Sequence, residues 1–302
     1  MLEMTQPQAS SATEAAQTQP DEMEKRMKIE IREIGIPPRP TILSQIEQET
    51  AKEEPDFINL AKLLSQDVGL SASLIKVANS PYFSFGKKVP TVQEAMLVLG
   101  LKLVVQTVAG LALQQVFKHL PNMERFWDSS ATNAQISGWL ARQLGKKWAI
   151  RLEDAYTFAL FRDCGIPVLL SPFPEYQAIL AQANNERERS FTDVEDQAIG
   201  LNHANVGADL AENWLLPEET CLAIRHHHDA SIFADGSALI PERTKVLIAI
   251  AHLAEYLMQQ EAGRGQSSEW EKLGPACLTC LDIGSDQLQT LCDEFHISRQ
   301  DN

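Results

Sequence analysis

Cysteine is scarce, with five residues in 302, odd in number and irregularly spaced, which excludes the paired framework of a small secreted disulfide fold and points to a reducing compartment. Basic residues are short too. Against 41 Asp and Glu stand 26 Lys and Arg, a formal charge of −15, which excludes a broad face for phosphate backbones. Lys87-Lys88 is too small a basic step for a nucleic-acid footprint. Neither G-x-G-x-x-G nor G-x-x-x-x-G-K-[ST] occurs, so no glycine-rich phosphate loop is present. Residues 1–20 lack the basic and apolar regions of a signal peptide and read as a polar, disordered tail. Long apolar runs are few. Ala95 to Phe117 is interrupted by Gly100, Lys102, Gln106 and Gly110, so it predicts a buried pair of helices, not the roughly 20 apolar residues of a membrane span. The expectation is a cytoplasmic chain with no membrane and no nucleic acid among its partners.

What is abundant is helical periodicity. With 44% hydrophobic and 22% charged residues the chain suits a globular protein of about two core-bearing units. Phe57, Leu60, Ala61 and Leu64, then Leu70, Leu74, Val77 and Ala78, then Val246, Ile250, Leu253, Ala254 and Leu257 each mark one helical face. Thr91-x-x-Glu94 and Thr192-x-x-Glu195 have capping-box spacing, and Pro217 suits a first helical position. Pro37-Pro38-Arg39-Pro40 separates an opening amphipathic helix (Met23, Met27, Ile31) from the next. Asn184 to Ser190 and Gly263 to Ser268 read as surface loops. The alternation over Lys28 to Arg32 is too short to support a sheet. The fold is expected to be all-α, following a polar tail over about 1–21.

Histidine is the candidate chemistry. Successive residues on a helix point about 100° apart, so His226-His227-His228 cannot supply three ligands to one centre. A metal site would need help from other helices, and Asp163, His203 and His252 are available. Hydrogen-bonded interior groups are the alternative. At the carboxyl end, Cys277-x2-Cys280 with Cys292-x3-His296 has zinc-like spacing. Leu273, Cys277, Cys280 and Leu281, and then Leu288, Leu291, Cys292 and Phe295, also fall on helical faces, and the buried-thiol reading is preferred. Cys164 reads as core. Asn79-Ser80-Pro81-Tyr82-Phe83 reads as a helix end with Asn79 in the left-handed conformation, followed by rings that fill space between helices.

Several segments together carry a family resemblance: LLSQDVGLSASLIKVANSPYF, VQEAMLVLGLKLVVQ, FWDSSATNAQ, LNHANVGADLAENWLLPEE and AIRHHHD. They resemble an HDOD domain over most of residues 30 to 230. The resemblance implies an amino-terminal helical bundle (22–122) packed on an HD-like helical bundle (123–260), with a carboxyl-terminal loop and helical extension (261–302). It also implies a non-catalytic role in bacterial signal transduction, related to the HD and HD-GYP metal-dependent phosphohydrolases.

Set against the pattern of a working HD enzyme, this sequence departs at several positions. The first ligand His falls on Ser129. The His-Asp pair falls on Arg162-Asp163, and a guanidinium has no lone pair to give a cation. The glycine survives as Gly165, while the following Lys falls on Ile166. His203 and either His227 or His228 match further ligands, and the last Asp falls on His252. The expectation is a degenerate, metal-free polar pocket built from Ser129, Arg162, Asp163, His203, His227, His228 and His252, with no catalytic residue and no cofactor. Its partner would be a signalling protein or a small-molecule ligand, and a homodimer is allowed. The alternative is a phosphodiesterase- or nucleotidase-like enzyme with one divalent transition metal on Asp163, His203, His227 and His252. No GGDEF, EAL or receiver segment is visible, so input is expected from another chain or a diffusible ligand.

Overall fold

The computed structural model describes residues 35–83, 88–234, 236–263 and 268–300, with side chains as far as 297. The opening helix with Met23, Met27 and Ile31, the polar tail, the Lys28 to Arg32 alternation, Lys87, and most of the Gly263 to Ser268 loop lie outside these residues. The helical body begins at Pro37.

Among the described residues there is no strand, in line with the all-α expectation. Helices α1 (Thr41–Thr50), α2 (Phe57–Ser65) and α3 (Val68–Ala78) pack against α4 (Val92–Val116). Asp56 and Asp67 start α2 and α3 by accepting backbone N–H bonds of the first turn. Gly100, at φ 75° and ψ 157°, breaks α4 into the expected pair of helical stretches. By length and composition α4 could cross a membrane, but its buried residues face other helices, with Leu103, Val104 and Val108 at the core.

The second half comprises α5 (Glu124–Leu144), α6 (Leu152–Phe161), α7 (Gly165–Leu170), α8 (Tyr176–Asn185), α9 (Phe191–Ile199), α10 (His203–Asn213), α11 (Glu218–His226), α12 (Glu242–Glu261), α13 (Ser268–Leu281) and α14 (Ser285–Gln300). Two short 3₁₀ turns interrupt the series, at Gly145–Trp148 and Ala230–Phe233. Helix α12 is buried on every side from Thr244 to Ala254. A helix apolar all round belongs at the centre of a bundle, and α5, α6, α11 and α13 pack around it.

Several local expectations change. The capping box of α9 is Ser190 with Asp193, not Thr192 with Glu195. Ser190 ends the polar loop and takes extended backbone, which is what an N-cap needs. Pro217 is the N-cap of α11, one residue before the first helical position. Asn79 closes α3 at φ −88° and ψ 1°, not in the left-handed region. Its side chain donates to the carbonyls of Ile75 and Val89 and accepts from Val89 N–H, so it pins the following loop instead. Tyr82 and Phe83 are buried, the latter edge-on to Tyr156.

Gly165 is required by close approach. A Cβ there would meet the His203 carbonyl oxygen far inside contact distance and the Gly207 nitrogen at 2.7 Å. Only glycine lets the start of α7 lie directly on α10, and that contact brings Asp163 to His203.

Candidate functional site

Several helix ends and the central helix converge on one buried point. Arg162 and Asp163 follow the last turn of α6, His203 opens α10, and His227 and His228 follow α11. His252 and Glu255 lie one turn apart on α12, and Glu195 comes from α9. His203 and Glu195 have no exposed side-chain surface, whereas Asp163 keeps 21%. The start of α10 is fixed by Asn202, whose side chain accepts from Asn205 N–H and donates to Asp196.

The contacts form a continuous chain. The Tyr176 hydroxyl donates to one oxygen of Glu195. The other Glu195 oxygen takes His203 Nδ1 at 2.7 Å and the His203 backbone N–H at 3.3 Å. His227 Nδ1 donates to the Ile224 carbonyl at 2.6 Å, and His228 Nδ1 meets Glu269 at 2.5 Å. His203 Nε2 lies 3.2 Å from His227 Nε2, and Asp163 Oδ1 lies 3.6 Å and 3.4 Å from the two. Arg162 donates through Nε and a terminal nitrogen to Asp163 Oδ2, at 3.1 and 2.9 Å. Its remaining nitrogen is 3.0 Å from Glu255. Phe191 stacks on His228 with ring centroids 4.8 Å apart.

Electrostatics follow from burial and these partners. Burial raises the Asp163 carboxyl, but Arg162 and His227 outweigh it and hold the group well below the usual carboxylate range. Burial works against the charge on Arg162, yet Asp163 and Glu255 keep it protonated. For His203 burial is opposed by Glu195 and then Asp163, and the balance is upward. Burial lowers His227 to about 4 and pushes His228 well below the ordinary imidazole value. Burial and then Arg162 lower His252.

These bonds fix a proton count. A carbonyl can only accept, so His227 carries its proton on Nδ1. His203 presents Nδ1 to Glu195. Two neutral imidazoles so arranged would direct bare Nε2 lone pairs at each other across 3.2 Å. The junction needs one positive species: a proton on His203, consistent with its raised pKa, or a cation between the rings.

The donors also pass a geometric test for one metal ion. Tetrahedral ligands at about 2.0–2.1 Å from zinc lie roughly 3.3–3.4 Å apart, and the three separations here are 3.2, 3.4 and 3.6 Å. Asp163, His203, His227 and His228 offer ligand atoms that all lie within 4.8 Å of one another. Each of the three imidazoles has Nδ1 held by an acceptor, as ligating histidines usually do. Arg162 adds no donor for a second ion, because a guanidinium has no lone pair to give.

The residues expected from the sequence divide accordingly. Arg162, Asp163, His203, His227 and His228 are brought together, and the choice between His227 and His228 dissolves because both are present. Ser129 is exposed on α5 and does not join them. One turn later Asn133 is buried, donates to the Ala251 carbonyl at 3.4 Å and accepts from Ser137. His252 corrects the alternative ligand set: its Nε2 donates to the His227 carbonyl at 2.7 Å, and it stands outside the four converging donors. Cys277, Cys280, Cys292 and His296 form no such group among the described residues. Cys164 is buried and donates to the Gly207 carbonyl, with its thiol pushed up by burial and then by Asp163. Glu195, Tyr176, Glu255 and Glu269 join the cluster without having been expected there. Glu195 carries a signal in the sequence: with Phe191 and Val194 it lies at i, i+3, i+4, an acid on the apolar stripe of α9.

Comparison with known proteins agrees on the fold. The HDOD domain profile matches residues 36–230. An uncharacterized protein of Treponema pallidum (strain Nichols) is 27% identical over 269 residues, covering 86% of this chain and 50% of its own length. The chain thus spans about half the length of that curated relative. A candidate signal transduction protein from Marinobacter aquaeolei VT8 superposes with a TM-score of 0.64 at 24% identity, over 89% of this chain and 58% of the other. A candidate phosphohydrolase from Shewanella amazonensis SB2B gives 0.61 at 20% identity, over 88% and 92%. Both structures share the fold.

Proposed function

We propose that this chain, which belongs to the HDOD domain family, is a non-catalytic signal-transduction module of the cytoplasm whose former hydrolase centre is a closed polar cluster. The observation that carries this reading is Arg162. It fills the position where a hydrolase of this fold needs an imidazole, grips Asp163 through two nitrogens and reaches Glu255 with the third. A hydrolytic site also needs an open coordination position and a route for substrate. Here His203 and His227 have no exposed side-chain surface, and Ile166 stands where the ammonium of a lysine would be. The cluster then serves as a rigid junction of α6, α10, α11 and α12, and output is contact with a signalling partner or response to a small ligand.

A second reading is favoured by the separations among three donors: one divalent transition metal held by Asp163, His203 and His227, with the His228 ligand atom within 4.8 Å of each. Such an ion would supply an activated water for attack on phosphorus. In that case Glu195, Glu269 and the Ile224 carbonyl orient the rings, and Arg162 holds the free oxygen of Asp163.

The deciding experiment is elemental analysis of protein purified without chelator, with a phosphodiesterase and nucleotidase panel alongside. The first reading expects background Mn, Fe and Zn and no turnover. Stoichiometric metal with turnover that disappears in Asp163→Asn overturns it in favour of the second. Stoichiometric metal without turnover removes the proton-filled cluster but leaves the non-catalytic role standing.

A further inference from the structure

A cavity of about 460 Å³ lies away from the histidines, walled by α1, α4, α6 and the turn after α10. Its size falls in the range of small-molecule sites, and its walls are largely apolar, as such sites usually are. None of the His-cluster residues lines it. Phe161 and Trp214, edge-on with centroids 6.4 Å apart, belong to its wall.

Its charged groups are of one sign. The charged side chains on the wall are Arg39 and Lys102, and no Asp or Glu is among the lining residues. On a chain of formal charge −15 this is a local reversal of sign. Lys102 reaches Asp154, a carboxylate also held by Arg151 and by Arg243, the last of which pairs with Glu219 as well. Arg39 meets Glu47 through a terminal nitrogen, while its Nε is buried with no hydrogen-bond partner. The side-chain oxygen end of Gln106 is likewise buried and unpartnered. Oxygen and nitrogen of a glutamine amide exchange places by a simple flip, so Gln106 can meet either half of a protonatable headgroup. Buried polar groups without partners are costly and uncommon; these two, without a partner among the described residues, sit just behind the cavity surface in residues of its wall.

The turn at the edge gives an independent indication. Trp214-Leu215-Leu216-Pro217 ends α10 with Leu216 N–H reaching back to the Ala211 carbonyl and Leu215 at φ 60°. Left-handed backbone is unfavourable for a residue with a branched side chain and is ordinarily given to glycine. The result is a leucine that is 67% exposed at the cavity instead of folded into the core.

We infer that this cavity binds a small apolar carboxylate, with its hydrocarbon part against Val105, Phe161, Trp214 and Leu215 and its carboxylate at Arg39, Lys102 and Gln106. The site would be an input port for the module, and it stands or falls separately from the reading of the histidine cluster.

The test is isothermal titration of the full chain with decanoate, decanol and decylamine, each below its micelle-forming concentration. Decanoate should bind at one site per chain, more tightly than decanol, with decylamine weakest. Lys102→Met should weaken decanoate about tenfold, the equivalent of about 1.4 kcal/mol, and change decanol by less than about twofold. Asp154 keeps two other cations in that variant, so folding is not at risk. Val105→Trp, which fills the cavity from a half-exposed position, should abolish binding of both. Failure of wild-type protein to bind decanoate overturns the inference, as does equal affinity for decanoate and decanol, or unchanged decanoate binding in Lys102→Met. If Val105→Trp does not fold, the Lys102→Met comparison decides alone. Metal content and turnover enter none of these outcomes.

Discussion

Helix α10 joins two places of opposite character. At its amino end His203 enters a cluster in which rings, carboxylates and a guanidinium are bonded to one another. At its carboxyl end Trp214 borders an apolar cavity in which polar atoms of Arg39 and Gln106 have no partner. The first arrangement resembles a hydrolase centre in composition and ties most of its polar groups to one another, leaving a terminal nitrogen of Arg162 and one oxygen of Glu269 to ion pairs with Glu255 and Lys272. The second has an apolar wall with two cationic side chains, and two buried polar atoms of that wall have no hydrogen-bond partner among the described residues. Chemical resemblance and available bonding capacity are therefore located at different ends of one helix.

The contrast is sharpened most by changes that separate stability from binding. Gly165→Ala should be the most damaging substitution, because a methyl group there cannot coexist with the His203 carbonyl. The expectation is failure to fold or a loss above about 4 kcal/mol, the range reserved for a few severe mechanisms, read by chemical denaturation. Arg162→Ala should cost about 3–5 kcal/mol by leaving Asp163 and Glu255 without their counter-charge. Arg162→Met combined with Asp163→Asn should recover much of that loss. An Arg162→Ala protein as stable as wild type would remove the argument that the guanidinium holds this junction together.

Next comes Glu195→Ala, which strips acceptors from Tyr176 and His203 and should cost about 1–3 kcal/mol. Acidification should act on the same cluster. His227 is held at about 4 while an unfolded imidazole titrates near 6.5. Between those values the unfolded chain binds the additional proton, so stability falls as pH falls, by at most about 1.4 kcal/mol per unit for this group. His203 has the opposite sign. Its raised pKa gives stability that is complete below the unfolded value and is lost as pH rises through the folded one. Denaturant midpoints across pH 4 to 8 test the pair. The smallest effect is expected at Ser129→Ala, within about 0.5 kcal/mol because the side chain is exposed. Asn133→Ala should exceed it by about 1 kcal/mol or more. Equal losses at the two positions would contradict the exposed placement of Ser129.

What the sequence made legible depended on whether a residue's role is local. Helical faces, the break at Gly100 and the pairing of Arg162 with Asp163 depend on neighbours a few residues apart, and each is recovered. His203 and the histidine triplet are recognisable through short motifs. Glu195 is misread from the sequence because two box-like spacings overlap, Ser190 with Asp193 and Thr192 with Glu195, and only burial of the acid distinguishes them. Ser129 and Asn133 differ by one turn, a slip that keeps the same helical face but changes the depth in the bundle. His252 reads as a ligand because its chemistry suits a metal. Its bond to a backbone carbonyl 25 residues away in the chain has no local signature. Glu255 and Glu269 likewise acquire their roles only when α12 and α13 close over the centre.

Arg162 has a mechanical consequence as well. It sits at the end of α6, grips the residue beside it, and takes hold of α12 through Glu255. Sliding one of these helices against the other must therefore first pull apart a nearly buried ion pair.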